Sequence, residues 1–177
     1  MSDLPALLSK WLCHDLATPA ATVLTASELL GPEGDAEING LVQDGAKRLV
    51  ARLRLIRAAF APGGGPMAAS ALEKLVRDGL DGTPLTWARP GDASGAEAAL
   101  VAGAALLLAD LSRGSAITVS VAGVYWDSPR ALPDACTAAL TGNDPADSRA
   151  AVAAMVAAAA ARAGHVATAT ADGIAWS

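Results

Sequence analysis

Cysteine is scarce in this chain of 177 residues: Cys13 and Cys136 stand far apart and form no CxxC pattern. Cysteine-pair zinc sites and disulfide frameworks both need patterned thiols, so neither is expected and a reducing compartment suffices. Positive charge is also short, with 13 Lys and Arg against 18 Asp and Glu and a formal net charge of −5. A general nucleic-acid binder needs clustered cations to displace phosphate counterions, which argues against that class. The longest apolar run, 150–161, is mostly alanine and too short to span a bilayer. Met1-Ser2-Asp3-Leu4 also lacks the cationic and apolar segments of a secretory leader. The expectation is a cytoplasmic protein with no membrane or nucleic-acid partner. Its hydrophobic fraction of 53% is ample for a packed core, in one domain or two small units.

From residue 4 to 30, apolar positions recur at spacings of four and three: Leu12, Leu16, Pro19, Val23, Ala26, Leu30. That period predicts a helix with a bundle seam. Gly31-Pro32-Glu33-Gly34 ends it, and Asp35 is an N-cap candidate for a second helix. The second seam runs Ile38, Val42, Ala46, Leu49, Leu53, Ile56, Phe60. Two such helices joined by a short turn make an antiparallel hairpin, which buries its stripes best by pairing with a second copy. A homodimeric four-helix bundle is therefore expected.

Ala61-Pro62-Gly63-Gly64-Gly65-Pro66 breaks any helix. The expected layout is a hairpin over 1–61, a linker over 62–66 and a small α/β domain over 67–177. Within the last, the pattern predicts helices over 72–80, 96–111 and 145–162 and strands over 85–87, 117–121, 165–170 and 173–176. The sum is an α+β protein whose second part is a sandwich, with helices on one face of a sheet.

There are two histidines. His14 lies in Cys13-His14-Asp15-Leu16-Ala17-Thr18-Pro19, roughly 190–200° around the first helix from its seam. On that wet face, with no metal partners in view, its imidazole is available as a nucleophile or proton carrier. Thr18 shares the face one turn later, and Ala17, Ala21 and Thr25 surround it with small side chains. Such a collar leaves room for another protein's helix or cleft. Pro19 removes a backbone hydrogen bond and is expected to bend the helix, either loosening it near His14 or as a tolerated kink. His165 has no Cys, Asp or Glu constellation around it and is given no metal role. Trp11 is expected to anchor the bundle end, and Trp87, Trp126 and Trp176 to pack the second domain.

The run His14-Asp15-Leu16-Ala17-Thr18-Pro19 resembles the H-box of two-component histidine kinases, and the layout is similar to their dimerisation and catalytic domains. The nucleotide boxes of those kinases are missing. Gly103 stands at the expected asparagine position in Leu100 to Leu107, and Ala122-Gly123-Val124-Tyr125-Trp126 offers no glycine pair. No GK[ST] follows Gly63-Gly64-Gly65. A phosphohistidine hairpin with a degenerate ATPase-like domain is similar to bacterial histidine phosphotransferases of the ChpT type. The likeness extends through Leu111-Ser112-Arg113-Gly114 and Ala161-Arg162-Ala163-Gly164-His165.

That resemblance implies a homodimer in which His14 is the phosphoacceptor, relaying phosphoryl groups between receiver-domain aspartates of response regulators and hybrid kinases. It implies no cofactor in this chain, with Mg²⁺ supplied by the receiver. Asp15 would orient the imidazole, or is an ordinary solvated acid. Thr18 matches a position that orients hydrolytic water in some kinases, or is surface packing. In the basic stretch Lys47, Arg48, Arg52, Arg54 and Arg57, Arg48 and Arg52 would meet the acidic rim of a receiver, or form a solvated face. Two other functions stay open: a divergent kinase that still binds ATP, and a scaffold that only sequesters response regulators.

Overall fold

Asp3 and Pro5 start the first helix. The Asp3 carboxylate accepts the N–H of Ala6 at 3.2 Å, and proline is tolerated in a first turn whose N–H groups have no helical partner. The computed structural model describes residues 3–30, 36–61, 63–112 and 114–177. Its elements are α1 (Leu4–Glu28), α2 (Ala36–Phe60), α3 (Ala69–Gly79), β1 (Leu85–Trp87), α4 (Gly95–Ser112), β2 (Ile117–Val119), β3 (Gly123–Trp126), α5 (Asp134–Leu140), α6 (Ser148–Arg162), β4 (Ala167–Ala169) and β5 (Gly173–Trp176). The expected turn at Gly31 to Gly34, the Asp35 cap, Pro62 and Arg113 lie outside the described residues.

Helices α1 and α2 form the expected hairpin, and α1 stays helical through Pro19. The two approach closely at Gly45, where a Cβ would fall 2.9 Å from Val23 Cγ2. The second seam departs from the heptad reading. Leu53 is exposed, while Leu55, Ile56 and Ala59 are buried. The lower part of α2 packs against α3 and α4 as well as α1, so its buried arc faces three partners instead of one. Gly79 permits the α3 contact, since a Cβ there would lie 2.5 Å from that of Leu55.

The hairpin and the part that follows the expected linker share one buried cluster. Trp11, Leu55, Ile56 and Ala59 belong to the same buried cluster as Leu106, Ile117 and Val156. Residues 63–66 are seated against the fold: a Cβ at Gly95 would overlap the Gly64 carbonyl, and Met67 pairs with Ala93 through reciprocal backbone bonds of 2.8 and 2.9 Å. The hairpin base has more apolar surface than α1 and α2 can cover between them, and α4 and α6 cover it.

The sheet order is β1-β2-β3-β5-β4, with β1 parallel to β2 and the other pairs antiparallel. Strand β2 ends at Val119, short of the expected residue 121, because the Ser120 N–H turns back to the Gly123 carbonyl at 2.8 Å and opens a hairpin into β3. Strand β3 and the seven-residue α5 were not expected, being too short to show a period. Helix α6 starts at Ser148 instead of 145 because Asp147 caps it, accepting the N–H groups of Arg149 and Ala150 at 2.9 and 2.8 Å. Trp126 and Trp176 pack as expected, their indole N–H groups donating to Leu108 O at 3.0 Å and Val121 O at 2.7 Å. No helix among the described residues is long and apolar enough to cross a membrane.

Helix α4 fills the centre, and Ser94-Gly95-Ala96-Glu97 sets its start as a capping box. The Ser94 N–H donates to Glu97 Oε2 at 2.8 Å, the Glu97 N–H donates to Ser94 Oγ at 3.2 Å, and buried Arg89 donates to Glu97 Oε1 at 3.0 Å. The Ser94 backbone bond, with smaller help from the Ser94 hydroxyl and Arg89, holds the Glu97 carboxyl below its ordinary value of 4.5. A depressed folded value adds stability above pH 4.5, and that stability is lost as pH falls through the folded value. Glu97→Gln is expected to destabilise the protein at pH 7 and to make urea unfolding less pH-dependent below 4.5. An unchanged acid limb would rule out this carboxylate as its source.

Candidate functional site

Helix α1 carries His14 exposed on its surface, but beside structure rather than in open solvent. Trp11, one turn earlier, is 3% exposed and meets Phe60 edge to face, with ring centroids 5.7 Å apart. This anchor sets α1 against α6. His14 consequently shares a recess of about 290 Å³ with Trp11, Asp110 from α4, and Asp147, Ser148 and Arg149 at the start of α6. Ala17, Ala21 and Thr25 are exposed, leaving the flank beyond His14 open as expected.

Asp15 faces another way. Consecutive helical residues differ by about 100°, so the acid next to His14 in sequence points to a different neighbour. That neighbour is Arg52. Its Nε donates to Asp15 Oδ2 at 2.8 Å, Nη2 donates to Oδ1 at 2.5 Å, and Nη1 donates to the Gly79 carbonyl at 3.2 Å. The side chains are 17% and 11% exposed for Arg52 and Asp15. Two expectations are corrected together: both Asp15 oxygens are engaged by Arg52 instead of the imidazole, and Arg52 is turned inward instead of toward a partner. Arg48 stays at the surface, its Nε 3.5 Å from Asp81.

The Asp15–Arg52 pair lines a second, larger cleft of about 520 Å³ between the hairpin, the end of α3 and the end of α4. Thr18, Pro19, Leu41 and Arg48 form its hairpin wall, with Asp81 and Asp110 opposite. Asp110 lines both hollows, so the cleft and the His14 recess are neighbours sharing one wall. Sequence reasoning missed this cleft and Asp110. The only linear signals were acids at the ends of helical segments, which look like ordinary surface acids.

Gly103, the position compared with the kinase asparagine, lines neither the His14 recess nor the larger cleft. Gly103 points into packing, where a Cβ would lie 3.2 Å from Val156 Cγ2. A recess of about 470 Å³ instead opens at the far end of α4, beside Asp110, Trp126, Arg130, Pro133 and Arg149. His165 is half-buried, and no cluster of His, Cys, Asp and Glu among the described residues is arranged to hold a metal. Burial, ahead of the nearby Asp147, pushes the Cys136 thiol up to about 11, which favours its protonated form at neutral pH.

A bacterial phosphotransferase of solved structure shares this fold. The two superpose with a TM-score of 0.72 over 99% of this chain and 96% of the other, at 23% identity. The histidine kinase domain of the blue-light activated kinase from Erythrobacter litoralis EL346 also matches, with a TM-score of 0.37 and 12% identity over 90% of this chain and 93% of that one. No protein-family model matches the chain, and no curated protein sequence does. The first match spans hairpin, sheet and covering helices together.

Chemically, the site offers one exposed imidazole held by a buried tryptophan, beside a cleft of mixed polar and apolar lining whose volume falls within the range of ligand pockets. An imidazole so placed can receive and give up an electrophilic group brought by another molecule.

Proposed function

We propose that this protein is a histidine phosphotransferase of two-component signalling, which relays phosphoryl groups between receiver-domain aspartates through His14 without using ATP. The observation that carries this reading is the exposed His14 on a helix anchored by buried Trp11, with the small side chains of Ala17, Ala21 and Thr25 along its open flank. The shared phosphotransferase fold supports it. A neutral ring nitrogen uses its lone pair to attack the phosphorus of a receiver's aspartyl phosphate. The P–O bond breaks, the aspartate oxygen leaves with the electron pair, and the other ring nitrogen keeps its proton. A second receiver reverses the step. Mg²⁺ on the receiver neutralises the charge in flight, so this chain supplies position and a docking surface.

Independence from ATP is supported by side-chain chemistry: Gly103, the position compared with the kinase asparagine, carries no side-chain oxygen and is packed against Val156. A homodimer is supported by Leu24, Val50 and Leu53, exposed on the hairpin at 58%, 46% and 43%, none of which lines the cleft. Sedimentation is expected to give a dimer that Leu24→Glu with Leu53→Glu converts to monomer; a monomeric wild type would overturn this part. The cytoplasm, where receivers reside, is the proposed location.

The deciding experiment mixes the full chain with receiver domains carrying ³²P on their aspartate. Acid-labile label on His14 is the expected result, and no label from any receiver of the same genome would overturn the reading. Label from γ-³²P-ATP alone would instead favour a kinase.

A further inference from the structure

We propose that Arg149 binds the phosphoryl group on His14, and that the Asp110 carboxylate competes with that group for its guanidinium. The inference rests on His14 as phosphoacceptor and deepens that reading by naming the group that receives the charge.

The recess around His14 has an unusual balance. Among the described residues its other charged side chains are two carboxylates, Asp110 and Asp147, and one cation, Arg149. Phosphorylation adds a charge of roughly −2. Beside two carboxylates that charge is repelled unless a cation stands between them, and Arg149 is the cation in place. A guanidinium is suited to the task, because its planar fork matches phosphate oxygens in pairs.

The fold holds Arg149 ready. It is the second residue of α6, and its backbone N–H is bound by the Asp147 cap at 2.9 Å, fixing where the side chain leaves the helix. Its Nε donates to Asp110 Oδ2 at 2.8 Å, which uses one of the five guanidinium N–H donors. The Arg149 side chain remains 44% exposed while Asp110 is 20% exposed, so the carboxylate is the more buried partner. The start of α6, the positive end of a fifteen-residue helix, faces the same recess through Ser148. The Asp110 charge also opposes over-tight holding, which suits a group that must be discharged as readily as it is loaded.

Phosphoramidate is the probe, because it loads His14 without a receiver: the N–P bond to the imidazole forms as the donor's own P–N bond breaks and ammonia leaves. At a fixed, subsaturating concentration, Arg149→Ala is expected to lower the phosphorylated fraction of His14 on the order of tenfold, the scale of one charge-assisted hydrogen bond. Arg149→Lys should recover part of it, and Asp110→Asn should match or exceed wild type, since it removes a competing carboxylate. A purely structural ion pair predicts instead that Arg149→Ala and Asp110→Asn fall together, in step with their thermal midpoints. That result, or wild-type loading in Arg149→Ala, would overturn the proposal. Discharge of the label to receiver domains is scored separately: wild-type His14 that loads but passes nothing on overturns the relay reading, whereas insensitivity to Arg149 overturns only its assigned role.

Discussion

Transfer from a phosphorylated receiver is expected to fall to background in His14→Ala while the fold is untouched. His14 is exposed and lies outside the buried cluster, and surface substitutions of that kind shift stability by about 0.5 kcal/mol or less. A phosphoryl relay cannot proceed without its acceptor nitrogen, so the loss should be complete instead of graded. Two measurements on one preparation give the test: acid-labile label after incubation with a labelled receiver, and the thermal unfolding midpoint. Binding of unphosphorylated receiver should persist, because the collar of small residues and the neighbouring cleft are intact. A scaffold that only sequesters receivers would keep its whole activity in this variant. Label persisting on His14→Ala would place the acceptor elsewhere and remove the basis of the proposed function.

The second large effect concerns stability. Arg52→Ala is expected to cost about 3 kcal/mol, because it leaves the Asp15 carboxylate, 11% exposed, without its partner. Breaking a desolvated pair from one side costs more than removing both members. Asp15→Asn combined with Arg52→Met should therefore be less destabilising than the sum of the single changes. Arg52 also donates to the Gly79 carbonyl, so its loss loosens the seam that joins α1, α2 and the end of α3. Urea unfolding of the four proteins at pH 7 measures the coupling, and strict additivity would show that solvent already screens the pair. Any loss of transfer in Arg52→Ala should follow the folded fraction. Arg48→Ala, at an exposed pair with Asp81, should leave stability unchanged. If Arg48 meets a receiver, its loss should instead weaken the salt dependence of transfer.

Several elements could be read directly from the chain because their signals are local. The hairpin followed from apolar spacing over two long segments, and the Trp11 anchor from one large side chain at the hairpin base. The position of His14 opposite the α1 seam followed from helical geometry alone. The signal failed where an element had several partners or too few residues. Leu53 and Leu55 exchanged roles because the base of α2 is gripped from three sides, and β3 and α5 were too short to reveal a period.

By itself the sequence determined that His14 sits on the exposed side of a helix, in a hairpin followed by a mixed α and β segment. Three-residue and four-residue spacings act within one element and need no knowledge of the rest. Only the tertiary structure decided what surrounds that histidine. Asp15, its neighbour in sequence, is drawn to Arg52 by the turn of the helix, while Asp110 and Arg149, 96 and 135 residues beyond His14, arrive in its recess. They arrive because α4 and α6 pack against the hairpin base to bury its apolar surface, and burial of that kind depends on every element at once.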